Sequence, residues 1–348
     1  MPRAFEPELV PVLPSHRFDE AALVGYLSRH LAGFEGPCRV RQFQGGQSNP
    51  TFHLAAASGN YVLRKRPGGT LVQSAHAVDR EYRIMAALGD TGVPVPQALL
   101  YCADASVIGT DFFVMAHMPG RIITDPLIAG VDATERDAIY RDLARTLALL
   151  HAVDPTSVGL GDYGRVGDYI PRQLARWSRQ YAETNLPQVP EMDELLGWLR
   201  ARVPAIRDET TIAHGDYRLG NVIVHPTEPR VVGILDWELS TLGHPIADLA
   251  YCCLPWYLPP DLNGLANEDA AAIPSKAQFI ADYCEQAGRD AIPDFTFFVV
   301  FSLYRWAAIV AGVYRRALDG NASDPRAIGS GERFKHIVGT AIALIRAA

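Results

Sequence analysis

The stretch HGDYRLGNVIVHPTEPRVVGILDW places two aspartates and an asparagine around one short hydrophobic segment. Asp216 and Asn221 are separated by a loop in which Gly215 and Gly220 give the backbone conformational freedom. Such a loop can present a carboxylate and an amide to one point. A carboxylate there could accept the proton of an attacking hydroxyl, so we predict Asp216 as the catalytic residue.

The segments NVIVH and VVGILDW predict two strands joined by PTEPR, which favours a β-hairpin. The hairpin would place Asn221 at the start of one strand and Asp236 at the end of its partner, as neighbours. Amide and carboxylate oxygens suit Mg²⁺, so we predict Asn221 and Asp236 as metal ligands. The alternative is that these residues only favour turns. His214 is as well suited to brace the loop as to contact a substrate.

The first 120 residues indicate about five strands, mostly antiparallel, and one internal helix. Alternating apolar and polar residues predict strands in CRVRQFQ, PTFHLAAA and NYVLRKRP, and two more in VPVPQALLYCAD and DFFVMAHMPGRII. The helix is predicted over 75–89. From about residue 133 the spacing becomes helical, apart from the hairpin. The sequence therefore predicts an α+β protein with an N-terminal lobe, 1–118, and a larger helical lobe, 119–348.

Composition argues against several classes of function but leaves a local basic pocket open. A formal charge of −7 and a pI near 5.8 argue against a nucleic-acid partner or an acidic membrane surface. Five cysteines without a CxxC pair indicate reduced thiols, and no signal peptide is evident, so we expect a cytoplasmic protein. The apolar run over 295–316 contains Arg305 at its centre, which favours a buried helix and no membrane span. The oligomeric state is not readable from the sequence.

The HGD…N…DW pattern resembles the protein-kinase arrangement of a catalytic Asp, an Asn and a metal-binding Asp. It is more similar to the aminoglycoside phosphotransferase and choline kinase superfamily. Within that group it is most similar to the phosphotransferase-like domains related to those fused to some acyl-CoA dehydrogenases. The resemblance runs from GGQSNPTFHL to FSLYRWAAIVAGVYRR and implies a bilobal protein-kinase-like fold.

The resemblance also implies a nucleotide site in the first lobe. A Gly-Gly turn would lie over the phosphates, Arg64 would contact them while Glu81 holds it, and the segment after the last strand would bind adenine. Lys65 remains an alternative to Arg64, because a one-residue shift in register would exchange them. The predicted cofactor-binding residues are Gly45, Gly46, Ser48, Asn49, Arg64, Glu81, Met115 and Met118.

Two residues of the second lobe receive supporting roles. By resemblance, Asp248 in GHPIADLAY would brace the catalytic loop through backbone N–H groups. Arg305 would pair with a buried carboxylate, which we favour, or line the substrate pocket. The region over 161–185 and the final helices are expected to form that pocket.

We therefore expect an ATP- and Mg²⁺-dependent phosphotransferase that acts on the hydroxyl of a small molecule. The acceptor is open, with hydroxyacyl and amino-alcohol compounds as candidates. The alternative is a catalytically weak or inactive kinase-like protein that binds nucleotide. A metallohydrolase would need more metal ligands than one Asp and one Asn.

Overall fold

The computed structural model describes residues 7–44, 49–67, 77–266, 274–320 and 325–348. Most of the strands and helices expected from periodicity are present within a few residues of their expected bounds. In chain order the elements are β1 (Leu9–Val10), α1 (Glu20–His30), β2 (Cys38–Phe43), β3 (Thr51–Ala56), β4 (Gly59–Lys65), α2 (Val78–Leu88), β5 (Ala98–Cys102), β6 (Phe112–Ala116), α3 (Ala133–Ala152), α4 (Tyr169–Glu183), α5 (Pro190–Arg202), β7 (Thr211–Ala213), β8 (Val222–Val224), β9 (Val231–Ile234), β10 (Thr241–Gly243), α6 (Pro245–Cys252), α7 (Lys276–Ala287), α8 (Phe295–Leu318) and α9 (Ser330–Ala347).

Packing divides the chain into two compact units that are not continuous in sequence. The first comprises the described residues within 1–124, 158–160 and 220–240, and the second comprises those within 125–157, 161–219 and 241–348. The chain passes from the second unit into the first between Leu219 and Gly220, inside the predicted catalytic motif. The domain boundary expected between residues 118 and 119 stays a prediction.

The first unit is built on an antiparallel sheet with the strand order β1-β2-β3-β4-β6-β5. One face of the sheet packs against α1, where Leu23 and Leu27 are fully buried with Phe52 and Leu63. Burial of these side chains removes apolar surface from water and holds the helix to the sheet. Strand β1 was not predicted, because two residues carry no periodicity.

The opposite face of this sheet carries Arg64 of the predicted nucleotide site. Arg64 lies on β4 opposite Thr51 on β3 and Phe113 on β6. The hairpin β8–β9 also belongs to this unit, and its prediction is confirmed, with Val222 opposite Ile234. Gly120 lies so close to β8 that a Cβ atom there would fall 2.2 Å from Ile223 Cγ2.

The second unit is mainly helical around α8, which packs against α4, α5, α6 and α9. The short strands β7 and β10 pair antiparallel within it, a contact that the sequence did not predict. Helix α8 is long and apolar enough to span a membrane by length and composition alone, but 72% of its most apolar window is buried inside the protein. The prediction of a buried helix is therefore confirmed.

Candidate active site

Arg64 lies between two carboxylates of the first unit. Its Nε is 3.1 Å from Oε2 of Glu81, and its Nη2 is 2.8 Å from Oδ1 of Asp236. Glu238 is a third acidic neighbour at 3.8 Å. Lys65 is 5% exposed and follows the opposite alternation, on the side of the buried Leu63, where burial lowers its pKa. The structure therefore places Arg64, and not Lys65, beside Glu81.

Glu81 is a buried carboxylate held by two partners. Asn49 donates a 2.8 Å hydrogen bond from Nδ2 to Oε1 of Glu81, while Arg64 pairs with the other oxygen. Burial raises the pKa of Glu81 to about 7, against the opposing effect of the Arg64 charge and the Asn49 hydrogen bond. The ion pair that positions Arg64 is consequently sensitive to protonation near neutral pH.

The predicted metal ligands lie at the open end of the hairpin, each just outside one of its two strands. The N–H of Leu235 donates to the carbonyl oxygen of Asn221 at 2.8 Å, which brings Asn221 opposite the residue before Asp236. Asp236 has left-handed backbone angles, φ 65° and ψ 61°, a conformation that costs energy outside glycine and often occurs at functional sites.

The donor chemistry of this pair fits Mg²⁺. An amide and a carboxylate supply two oxygens, and this ion usually completes its octahedron with water and substrate phosphates. The described residues contain no group of three or more His, Cys, Asp or Glu side chains arranged to hold a metal. Asn221 and Asp236 are therefore the candidates for a metal shared with a bound nucleotide.

The remaining predicted nucleotide-binding residues fall into two groups. Gly45, Gly46 and Ser48 lie outside the described residues. Met115 is buried on β6 opposite Val62, on the same sheet face as Arg64. Met118 follows that strand, and its sulfur is 3.0 Å from the position of a Cβ built at Gly233.

In the second unit, Asp248 fixes the backbone of the predicted catalytic loop. Its Oδ2 accepts from the N–H of His214 at 2.5 Å, and its Oδ1 accepts from the N–H of Gly215 at 2.8 Å. His214 is fully buried, and its Nδ1 accepts from the N–H of Asp216 at 3.2 Å. The predicted bracing role of Asp248 is confirmed, and His214 is seen to brace the same loop.

His151 supports Asp248 from α3 and was not identified from the sequence. Its Nε2 lies 3.5 Å from Oδ2 of Asp248, while its Nδ1 hydrogen-bonds to the hydroxyl of Tyr283 at 2.8 Å. Burial alone would raise the pKa of Asp248, but the hydrogen bond and charge of His151, with the loop N–H groups, hold it below its usual value. A single histidine on an amphipathic helix gives no signal of this role.

The side chain of Asp216 is partly exposed and adjoins two groups of the second unit. Nε of Arg218 lies 3.5 Å from its Oδ2. Tyr251 hydrogen-bonds to Asp216, and burial together with the Asp216 charge raises the pKa of this tyrosine. Tyr251 therefore keeps its proton and orients the carboxylate. Asp216 is 19% exposed, which leaves it accessible to a substrate.

Arg305 does not have the carboxylate partner expected for it among the described residues. Its Nη2 donates instead to the carbonyl oxygen of Gly215 at 2.6 Å. The guanidinium also lies over two aromatic rings, with Cζ 5.3 Å from the centroid of Tyr251 and 5.4 Å from that of Trp177. The expected ion pair is wrong, because a carbonyl and two π-faces surround the charge.

A cation and a carboxylate on the sheet and helix of one unit, and an Asp–Asn–Asp series around a hairpin, are the arrangement expected in the protein-kinase-like phosphotransferases. Residues 39–292 match the model of the phosphotransferase enzyme family APH, and the chain belongs to this family. The curated relative acyl-CoA dehydrogenase family member 11 of Rattus norvegicus is 42% identical over 348 residues, which cover 97% of this chain and 45% of the relative. The chain thus spans less than half of that protein.

Solved structures support the same assignment. A candidate aminoglycoside phosphotransferase from Ralstonia eutropha JMP134 has a TM-score of 0.88 and 42% identity, covering 95% of this chain and 99% of that one. Choline kinase from Cryptosporidium parvum Iowa II shares the fold, with a TM-score of 0.65, 13% identity and coverage of 94% and 97%. Spectinomycin phosphotransferase, solved with ADP and spectinomycin, has a TM-score of 0.62 at 14% identity and coverage of 94% and 98%. The predicted fold class and family resemblance are confirmed.

Proposed function

We propose that this chain is an ATP- and Mg²⁺-dependent phosphotransferase that phosphorylates a hydroxyl group of a small molecule. The observation that carries the proposal is the Asp216 loop, whose preceding N–H groups are fixed by a buried carboxylate while the Asp216 side chain stays accessible. A general base needs this combination of a fixed backbone and an open side chain. The ADP bound to a structural relative supports ATP as the donor.

In the first unit, Arg64 would contact the phosphates, and Asn221 and Asp236 would hold the metal. The metal supplies neutralisation of the charge on the phosphate oxygens. Glu81 pairs with Arg64, and the hydrogen bond from Asn49 fixes the Glu81 carboxylate that holds the guanidinium. These residues do no covalent chemistry, and their contribution to rate is alignment and charge compensation.

In the second unit, Asp216 would accept the proton of the acceptor hydroxyl. The acceptor oxygen forms a bond to the γ-phosphorus as the bond from that phosphorus to the bridging oxygen breaks. The electron pair leaves with ADP, and the proton passes from Asp216 to solvent. We propose the acceptor as a hydroxyacyl or amino-alcohol metabolite, and the cytoplasm as the location.

The test is Asp216→Asn, which keeps the shape of the side chain and removes the base. We expect Mg²⁺-ATP to stabilise both proteins against thermal unfolding, but ADP formation to fall at least about 100-fold in the variant. Binding of ATP with no ADP formation by the unmodified chain, with any acceptor or with water, would instead favour an inactive nucleotide-binding protein.

A further inference from the structure

Buried hydrogen-bond donors without acceptors gather around Trp177 in the second unit. The Nε1 of Trp177 and the Nε of Arg305 have no partner among the described residues, although these side chains are only 4% and 7% exposed. Buried polar atoms almost always have a partner, and neither of these nitrogens can accept. The group that would complete the cluster is an acceptor.

The same cluster contains two arginines that form no ion pair with a described carboxylate. The guanidinium carbons of Arg176 and Arg305 lie 4.8 Å and 5.4 Å from the centroid of the Trp177 ring. Arg176 lies partly at the surface, and among the described residues its guanidinium contacts the ring of Trp177. Partial burial, and next the charge of Arg305, lower the pKa of Arg176. A bound anion would relieve this repulsion.

The cluster lies directly beside the proposed catalytic base. Arg305 donates to the carbonyl oxygen of Gly215, the residue before Asp216. It also lies over Tyr251, which hydrogen-bonds to the Asp216 carboxylate. A ligand held by Arg305 therefore has its neighbouring atoms near Asp216.

We propose that Arg305, Trp177 and Arg176 bind an anionic oxygen group of the acceptor, a carboxylate or a phosphate, a few bonds from the hydroxyl that Asp216 deprotonates. The inference rests on the proposed function; it favours hydroxy acids and phosphorylated alcohols as acceptors and disfavours cationic amino alcohols. A guanidinium fork suits both anions, and the indole N–H adds a donor of fixed direction. A polycationic acceptor would meet two arginines at this point and be repelled.

The experiment compares acceptors in which a neutral hydroxyl replaces the anionic group on the same carbon chain, using the full chain and a coupled measurement of ADP formation. One pair is 3-hydroxybutyrate and 1,3-butanediol, and the other is glycerol 3-phosphate and glycerol. We expect kcat/KM for at least one anionic member to exceed that of its neutral partner about tenfold or more, since neutral partners leave the buried donors unpaired. The pair that shows the preference distinguishes a carboxylate from a phosphate.

Variants then connect the preference to the cluster. Arg305→Gln should bring the ratio of anionic to neutral kcat/KM towards one by raising KM for the anionic acceptor, and Arg305→Lys should keep part of it. Trp177→Phe removes one N–H while keeping a ring, and it provides the test if Arg305→Gln does not fold. The control is Arg202→Gln, because Arg202 lies 3.9 Å from the Trp198 ring in an equivalent arginine–tryptophan contact of the same unit. It should leave the ratio unchanged.

Three results would overturn the anion site: equal use of charged and neutral partners, preference for a cationic amino alcohol, or an Arg305→Gln effect on KM for ATP alone. If no acceptor supports ADP formation, the proposed function fails separately. In that case, calorimetric titration of 3-hydroxybutyrate and glycerol 3-phosphate into the protein without ATP tests whether the anion site binds either compound. Binding that Arg305→Gln or Trp177→Phe weakens supports it, whereas absence of binding at millimolar concentration contradicts it.

Discussion

Arg64 and Asp236 form an ion pair in which Nη2 of the arginine lies 2.8 Å from Oδ1 of the aspartate. The residue proposed to bind phosphates is thus paired with a residue proposed to bind the metal. Glu81 pairs with the Nε of the same guanidinium at 3.1 Å. One arginine therefore couples the positions of helix α2, strand β4 and the end of hairpin β8–β9 within the first unit.

The first prediction concerns the geometry of this coupling. Arg64→Lys keeps the positive charge. It replaces the planar guanidinium, which contacts two carboxylates, by a single ammonium group. We expect the dissociation constant for Mg²⁺-AMP-PNP, measured by calorimetry, to rise about tenfold. Arg66→Lys is the matched control, because Arg66 follows the same strand and pairs with Asp111 at 3.2 Å. Equal affinity of Arg64→Lys and the parent would contradict the phosphate role.

The second prediction concerns the metal. Asp236→Asn keeps an oxygen and a residue type that tolerates the left-handed backbone, but it removes the charge. We expect the stabilisation by ATP in thermal unfolding to lose most of its dependence on Mg²⁺ concentration. The control is Asp294→Asn, the same change at another left-handed aspartate, φ 55°, outside the proposed site. A Mg²⁺ titration unchanged by Asp236→Asn would exclude this residue as a ligand.

The third prediction concerns the buried support of the catalytic loop. Asp248 accepts two backbone N–H groups through different oxygens, so Asp248→Asn must turn an NH₂ group towards a donor. We expect the free energy of unfolding to fall by about 2–4 kcal/mol, because a buried donor loses its partner. Asp137→Asn is the control, since Asp137 pairs with Arg141 in an exposed contact and should change stability by less than about 1 kcal/mol. Denaturant unfolding would measure both, and similar losses would contradict the bracing role.

Local periodicity was enough to predict much of the fold. Strand alternation and the turn residues of PTEPR predicted the hairpin that carries Asp236, because these signals lie within a few residues of one another. The Asp–Asn–Asp order likewise lies in one segment. Strands β7 and β10 escaped prediction, since each has three residues and their pairing depends on segments far apart in the chain.

The partners that could not be predicted from the sequence are formed by contacts between residues far apart in the chain. Arg305 reaches the carbonyl of Gly215 across 90 residues, and His151 reaches Asp248 across 97. Periodicity places such residues on a helix face but does not identify what the face meets. The choice between Arg64 and Lys65 also needed the register of β4 against its neighbours, which the structure supplies.

The last prediction follows from the unusual ionisation of Glu81. Burial raises the pKa of this carboxyl from 4.5 to about 7 in the folded protein, although Arg64 acts in the opposite direction. A raised pKa means that the folded state binds the proton more tightly than the unfolded state. The resulting stabilisation is complete below pH 4.5, declines as the pH rises to about 7 and is absent above it.

Glu81→Gln imitates the protonated side chain and should remove this dependence. The free energy of unfolding of the parent, relative to Glu81→Gln, should fall by up to about 3 kcal/mol between pH 4.5 and about 7, then stay constant. Glu209→Gln is the control, because the contribution of Glu209 to stability should change with pH in the opposite direction. Hydrogen bonds from Arg289 lower the pKa of Glu209, so the stabilisation by this carboxylate is lost as the pH falls. Denaturant unfolding at a series of pH values measures both differences. If the difference in free energy of unfolding between parent and variant depends on pH in the same way for Glu81→Gln and Glu209→Gln, Glu81 is ionised throughout this range. The ion pair with Arg64 would then persist at acidic pH.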